Sequence, residues 1–114
     1  MPHLTTHVLD TSSGKPATGM RVTLRRADAP AVLAEATTNA DGRLDKPLLE
    51  GSGLAPGNYE IFFYVGDYFR KSGAALADPA FLDVVPVRFT VAAGRDYHLP
   101  LLISPYGYST YRGS

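Results

Sequence analysis

Three side chains of this sequence, His7, Arg43 and His98, are of types that together can activate water and stabilise negative charge. A neutral imidazole accepts a proton near neutral pH, and a fixed guanidinium stabilises the oxyanion that forms when water adds to a carbonyl carbon. Each residue alone also has an ordinary interpretation, because a single histidine on a strand is usually a half-exposed surface residue and an arginine after a turn is usually a solvated charge. The combination of all three, from separate strand ends, favours a hydrolytic site.

Other kinds of catalytic site find less support. The chain has no cysteine, which excludes thiolate chemistry and disulfides. His3 and His7 are four residues apart on a strand, about 13 Å at ~3.3 Å per residue, which is too far for one zinc ion with bonds of ~2 Å. No serine lies in a nucleophile elbow, and neither a phosphate-binding loop nor a dinucleotide fingerprint is present. No metal site is therefore predicted.

Alternating strands must position the two histidines. Residues 4–10 alternate so that His7 lies opposite the likelier core face, and residues 97–103 alternate so that His98 lies opposite the more apolar face. Both imidazoles should therefore point away from the core. Pro100 conflicts with this second strand, since a residue without an amide donor is rare in the interior of a sheet, and it suggests a bulge there.

The rest of the chain is rich in further short strands and turns. One helix is predicted over residues 68–72, capped by Asp67 and stopped by Gly73. Seven or eight strands with a single helical turn predict an all-β sandwich. The additional strand candidates are residues 20–25, 32–38, 59–65, 84–91 and 107–112, together with a short strand that starts at Arg43 and Leu44.

Two of these strands carry the signs of sheet edges. Pro86 lacks a donor and marks residues 84–91 as an edge strand, whereas residues 107–112 contain no proline or lysine that would protect an open edge. Pairing with another subunit is the natural way to cover such edges. Oligomerisation is therefore expected.

Length and charge narrow the class of protein. A chain of 114 residues predicts one domain over residues 1–114, large enough to own a hydrophobic core. Eleven basic and eleven acidic residues cancel and are scattered, so neither nucleic acid nor an acidic membrane is an expected partner. No apolar run approaches the length of a membrane span, and the first residues lack the features of a signal peptide. These observations predict a cytoplasmic protein.

Four stretches of the sequence resemble the 5-hydroxyisourate hydrolases, the transthyretin-like enzymes of urate breakdown. These stretches are Leu-Thr-Thr-His-Val-Leu-Asp, the Asp-Gly-Arg turn, Tyr-His-Leu-Pro-Leu-Leu-Ile-Ser-Pro and the last four residues, Tyr-Arg-Gly-Ser. The likeness covers nearly the whole chain. The final tetrapeptide is the most specific stretch, because it separates these enzymes from transthyretin, a hormone carrier of the same fold.

The resemblance implies a site, a fold and an assembly. It implies His7, Arg43, His98 and Ser114 as catalytic residues. It also implies a transthyretin-like (prealbumin-like) sandwich of two four-stranded sheets with one short helix, assembled as a homotetramer from two dimers with active sites between them. The residues implied to contact the substrate are His7, Arg43, Tyr111, Arg112 and Gly113.

The implied reaction is the hydrolysis of 5-hydroxyisourate to 2-oxo-4-hydroxy-4-carboxy-5-ureidoimidazoline, on the way from urate to allantoin, with no cofactor or metal. Our mechanistic hypothesis from the sequence is that His98 is the base that deprotonates water. His7 would position the substrate or pass the proton, and Arg43 would stabilise the oxyanion. Two alternatives stay open. A transthyretin-like binding protein would use the same cleft without turnover, and a purely structural sandwich would use neither histidine.

Overall fold

The computed structural model describes residues 2–74, 76 and 78–113. Within them the chain forms nine strands, a short 3₁₀ turn at Gly51–Gly53 and one α-helix. The elements in chain order are β1 (His3–Asp10), β2 (Lys15–Pro16), β3 (Arg21–Arg26), β4 (Val32–Thr37), β5 (Leu49–Glu50), β6 (Gly57–Phe63), α1 (Val65–Ser72), β7 (Val85–Val91), β8 (Tyr97–Ser104) and β9 (Gly107–Thr110).

The strands form two sheets, which confirms the predicted all-β sandwich. One sheet has the order β4-β3-β6-β7, and the other has the order β2-β1-β8-β9 with β5 also paired to β1. The second sheet therefore has five strands rather than the predicted four. The neighbours β1 and β8 run parallel, whereas the other strand pairs described are antiparallel.

Strand β1 is the structural centre of the site. One of its edges pairs with β8 along residues 4–10. The opposite edge is covered by three short segments: β5 near its start, Arg43 opposite His7, and β2 at its end. The segment at Arg43 is an isolated bridge, not the short strand predicted to start at Arg43 and Leu44.

The core lies between the two sheets and follows the alternation of the sequence. Leu4 and Val8 of β1 and Leu101 and Ile103 of β8 are all at most 1% exposed. Each such side chain contributes roughly 1.5–3 kcal/mol by leaving water. The residues that alternate with them on β1 and β8, including both histidines, face outward as the pattern predicted and are only partly buried, except Pro100, which is buried.

The helix α1 begins earlier than predicted. It starts at Val65 with Tyr64 as its N-cap residue, so Asp67 lies in its first turn and does not cap it. The cause is packing, because Val65 and Phe69 are both buried in the core. Gly73 ends the helix as predicted, in a left-handed conformation with φ 79°. No helix in the described part of the chain is long and apolar enough to cross a membrane.

Both predicted edge strands lie at sheet edges. β7 is the last strand of its sheet and β9 is the last strand of the other. β9 ends at Thr110, two residues before the end of the predicted strand. Residues 111–113 continue past it toward β8 and contribute to the site described next.

Candidate functional site

The parallel register of β1 and β8 brings the two histidines together. Thr5 is opposite His98 and His7 is opposite Pro100, so His7 and His98 are diagonal neighbours on the outward face of the sheet. Nδ1 of His7 lies 2.6 Å from Nε2 of His98. The two rings are stacked, with centroids 4.8 Å apart and planes inclined by 25°. The pair is therefore hydrogen-bonded and its geometry is set by the sheet.

The second ring nitrogen of His98 also has a partner. Oγ1 of Thr5 lies 2.7 Å from Nδ1 of His98, so both nitrogens of this imidazole are engaged. Among the described residues, Nε2 of His7 makes no hydrogen bond. A chain of hydrogen bonds thus runs from Thr5 through His98 to His7, and it leaves Nε2 of His7 as the ring nitrogen open to a ligand.

A tight turn places Arg43 beside this pair. Oδ1 of Asn39 accepts a hydrogen bond from the amide of Arg43 at 3.2 Å. Gly42 has φ 71°, and a Cβ at this position would lie 2.4 Å from the carbonyl oxygen of Val8, so both the conformation and the close approach require glycine. Arg43 then forms an antiparallel bridge with His7. The turn that the Asp-Gly pair predicted is therefore what places Arg43 opposite His7.

Both imidazoles are held in the neutral form. Burial, followed by the positive charge of Arg43, lowers the pKa of His7 from its ordinary 6.5. Burial, followed by His7 and then Arg43, lowers the pKa of His98 in the same direction. At neutral pH the pair can therefore accept a proton, while Arg43 supplies a positive charge beside it.

The tail of the chain, residues 111–113, crosses directly over His98. The amide of Gly113 donates to the carbonyl oxygen of His98 at 2.8 Å. A Cβ at Gly113 would lie 2.8 Å from Cδ2 of His98 and 3.1 Å from Cγ of Pro100. A side chain is excluded at this position because the backbone itself packs against the imidazole.

Pro100 is accommodated without a bulge, which corrects the expectation from sequence. Leu101 pairs with Thr110. His98, three residues before Leu101, pairs with Gly113, three residues after Thr110, so the register is unchanged across Pro100. Because the backbone groups of successive residues point to opposite edges of a strand, the nitrogen of Pro100 faces the tail. Its missing donor therefore interrupts the ladder, and the hydroxyl of Thr110 donates instead to the carbonyl oxygen of Pro100 at 2.7 Å.

Arg112 anchors the tail at the rim. Its guanidinium carbon lies 4.7 Å from the ring centroid of Tyr97, and one of its nitrogens donates to the carbonyl oxygen of Asp96 at 3.1 Å. The hydroxyl of Tyr97 accepts a hydrogen bond from the amide of Ala92 at 2.8 Å, which fixes the ring. Tyr111 is 59% exposed and lies at the opening.

These groups surround one cleft of about 790 Å³. It unites all the site residues predicted from sequence except Ser114, which lies outside the described residues. Thr5 and the neighbouring lining residues Asp96 and Tyr97 were not predicted from sequence. The signal for Thr5 was its position two residues before His7, which places both side chains on one face. The cleft is lined by His3, Thr5, His7, Arg43, Asp96, Tyr97, His98, Pro100, Tyr111, Arg112 and Gly113.

Known proteins are similar in sequence to this chain over almost its whole length. Residues 4–113 match the model of the HIUase/Transthyretin family. The chain is 58% identical over 114 residues to a protein of Rhizobium meliloti named 5-hydroxyisourate hydrolase 2, covering 97% of this chain and 95% of that one. It is 43% identical over 116 residues to the 5-hydroxyisourate hydrolase of Mus musculus, covering 97% and 94%.

Solved structures agree with the sequence comparison. Klebsiella pneumoniae 5-hydroxyisourate hydrolase superposes with a TM-score of 0.84 at 36% identity and covers both chains completely, at 100% each. (S)-allantoin synthase gives 0.94 at 44% identity, but the match spans 99% of this chain and only 44% of that one. Sea bream transthyretin in complex with thyroxine gives 0.84 at 26% identity, covering 96% and 93%. The chain belongs to the HIUase/transthyretin family.

Proposed function

We propose that this protein hydrolyses 5-hydroxyisourate to 2-oxo-4-hydroxy-4-carboxy-5-ureidoimidazoline, a step between urate and allantoin. The observation that carries the proposal is the hydrogen-bonded pair of His7 and His98 beside Arg43, at the base of a cleft crossed by the tail. The names of the relatives that are more than half identical to this chain support the same substrate.

The proposed reaction begins with a water molecule at Nε2 of His7. This nitrogen takes a proton from the water, and the water oxygen bonds to the carbonyl carbon of the ring amide. The carbonyl oxygen becomes an oxyanion, which Arg43 stabilises. Collapse of this intermediate breaks the carbon–nitrogen bond of the ring, and the proton held by His7 passes to the leaving nitrogen.

This assignment moves the base from His98, the sequence-based choice, to His7. Both ring nitrogens of His98 are occupied, by Thr5 and by His7, so water would have to displace one of them. In the proposed mechanism His98 orients His7 and shares the positive charge that forms on the pair. No step needs a cofactor or a metal.

The tail supplies substrate contacts in this proposal. Arg112 and Tyr111 lie at the opening of the cleft, and Gly113 allows the backbone to approach the reacting groups. Ser114 lies outside the described residues, and its catalytic role stays a prediction from the family resemblance.

We also infer a cytoplasmic homotetramer built from two dimers. The open edges of β7 and β9 support subunit pairing, because an unpaired edge strand is a template for another chain. The cleft is lined by residues 111–113, which follow β9, and the family resemblance implies that it lies between the two dimers.

The test of the function is direct. 5-Hydroxyisourate is generated from urate with urate oxidase, and its ultraviolet decay is followed with and without this protein. We expect marked acceleration with the wild-type protein and almost none with His7→Asn, provided that circular dichroism confirms that this variant folds. The spontaneous rate with folded wild-type protein would exclude the enzyme. Because a transthyretin–thyroxine complex shares the fold, thyroxine binding would then identify a carrier.

A further inference from the structure

The hydroxyl of Thr5 is the end of the hydrogen-bond chain that runs through the histidine pair. It lies 2.7 Å from Nδ1 of His98, and the parallel register places the two residues directly opposite each other on β1 and β8. Threonine is branched at Cβ and has restricted rotamers on a strand. The sheet therefore fixes this contact, and no loop movement can release it.

Two neutral imidazoles in such a chain can be protonated in two directions. In the outward direction Thr5 donates to Nδ1 of His98, Nε2–H of His98 donates to His7, and the open nitrogen of His7 carries a proton. In the inward direction Nδ1–H of His98 donates to Thr5, Nδ1–H of His7 donates to His98, and Nε2 of His7 has a free lone pair. Only the inward direction lets His7 accept a proton from water.

We propose that Thr5 is a positioning residue which, by accepting Nδ1–H of His98, holds the pair in the inward direction and so makes Nε2 of His7 the proton acceptor. This inference rests on the proposed hydrolysis for its role in turnover, although the tautomers themselves do not depend on it. Arg43 lines the same cleft, where its positive charge favours a lone pair over an N–H on the open nitrogen.

The inward direction of the hydrogen bonds also suits the histidine pair after it has taken up a proton. When Nε2 of His7 takes the proton of water, the N–H groups on Nδ1 of His7 and Nδ1 of His98 already point at acceptors. The positive charge can shift to His98 if the proton on Nδ1 of His7 moves to Nε2 of His98, and Thr5 still accepts the remaining N–H. Valine at position 5 would leave that N–H without its acceptor.

The first test reads the tautomers without any substrate. Nitrogen-15 NMR of the imidazole rings, recorded above the pKa of both histidines, distinguishes protonated from bare ring nitrogens. In the wild-type protein we expect protons on Nδ1 of His7 and Nδ1 of His98. In Thr5→Val we expect the proton of His98 on Nε2. A wild-type spectrum with His98 protonated on Nε2 would overturn the proposal. This result comes from the wild-type protein alone, so it does not depend on whether Thr5→Val folds.

The second test is kinetic. Thr5→Val should lower kcat by about tenfold to a hundredfold with little change in KM, because the base is misdirected while the cleft keeps its shape. Thr5→Ser restores the hydroxyl and should recover most of the turnover. Equal kcat in wild type and Thr5→Val would refute the positioning role.

The adjacent residue offers a matched control. Thr6 is 1% exposed on the core face, and its hydroxyl donates to the carbonyl oxygen of Leu99 at 2.6 Å. Thr6→Val makes the same chemical change and should reduce thermal stability while leaving the tautomers and kcat unchanged. If the wild-type protein does not hydrolyse 5-hydroxyisourate, the proposed function fails, whereas the NMR result still decides the role of Thr5.

Discussion

Nδ1 of His7 and Nε2 of His98 lie 2.6 Å apart although 91 residues separate them in the sequence. Adjacent parallel strands produce this contact, and the offset of two residues in the register makes the rings diagonal neighbours that can stack. The pair therefore depends on the sandwich as a whole, and neither strand alone would create it. This rigidity suits a proton acceptor, whose efficiency depends on its orientation toward the reacting water.

The roles of the two histidines can be separated with two substitutions at one position. A glutamine amide reaches roughly as far as Nε2 of an imidazole, whereas an asparagine amide reaches only as far as Nδ1. His98→Gln should therefore keep a polar contact to His7 and retain more turnover than His98→Asn, which should lose about a hundred- to ten-thousandfold. Equal, complete inactivation of both variants, measured as kcat with intact folding, would return the role of base to His98.

The pH dependence of hydrolysis should depend on Arg43. Because burial and Arg43 lower the pKa of both histidines, the pair stays neutral to lower pH, and the acid limb of kcat/KM should lie below about 6.5. Arg43→Gln removes one cause of this lowering, so the pKa of both imidazoles should rise and the acid limb should move to higher pH. An unmoved limb would mean that the charge of Arg43 does not reach the pair.

Lysine at position 43 distinguishes charge from geometry. Arg43→Lys keeps the positive charge, so the acid limb should stay close to its wild-type position. It offers a single mobile ammonium in place of planar paired donors, so kcat should still fall by roughly a hundredfold. Near-normal turnover in this variant would show that Arg43 supplies local charge alone.

Alternation along single strands was enough to predict the outward face of the site. The apolar positions of β1 and β8 had to enter the core, and this forced His7 and His98 to the other side. The Asp-Gly signal likewise predicted the turn before Arg43, because few residues adopt the positive φ that Gly42 adopts. These features depend on local chemistry, which the sequence contains directly.

Features that depend on pairing across the sheet could not be predicted in this way. β2 and β5 are only two residues long, and they exist because one edge of β1 offers partners for them. The hydrogen bond between Thr5 and His98 follows from the register of two distant strands, which no local pattern contains. The start of α1 was wrong for a related reason, since burial of Val65 in the core extends the helix beyond its local signals.

Gly113 should tolerate no side chain. The Cβ of Gly113→Ala would lie 2.8 Å from Cδ2 of His98, closer than atoms in contact normally come, so either the ring or the tail must move. We expect the variant to fold with a nearly unchanged melting temperature and to lose roughly a hundredfold in kcat. Gly107→Ala is the matched control, because its Cβ would meet nothing closer than 3.7 Å. Wild-type turnover in Gly113→Ala would show that the tail can retreat without consequence.

Subunit pairing should be sensitive to Thr110. The hydrogen bond between Gly113 and His98 sets the alternation of the ladder, and it places the amide of Thr110 on the open side of β9. Thr110→Pro removes this edge donor and should weaken assembly, measured by sedimentation. Thr110→Val keeps the amide and loses only the hydroxyl bond to Pro100, so it should assemble normally. An intact tetramer for Thr110→Pro would place the interface elsewhere.

Folding and catalysis should separate most clearly at the tail. Deleting residues 112–114 removes no buried apolar side chain. It removes the backbone hydrogen bond to His98 and the exposed contacts of Arg112 with Asp96 and Tyr97, so the loss of stability should be about 1–3 kcal/mol. The cleft, however, loses the wall that lies over His98, and kcat should fall by roughly a hundredfold or more because the substrate is no longer held against the pair.

A point substitution separates the contribution of the Arg112 side chain to turnover from that of the backbone at Gly113. Arg112→Gln removes the guanidinium that stacks on Tyr97 but keeps the backbone of Gly113 in place. It should retain more turnover than the truncated protein and should raise KM more than it lowers kcat, because Arg112 has only a substrate-binding role in the proposed function. Thermal melting and sedimentation establish that both proteins are folded and assembled. If the truncated protein hydrolyses 5-hydroxyisourate at the parent rate, the tail only covers the edge of β8, and its catalytic role, including that of Ser114, must be withdrawn.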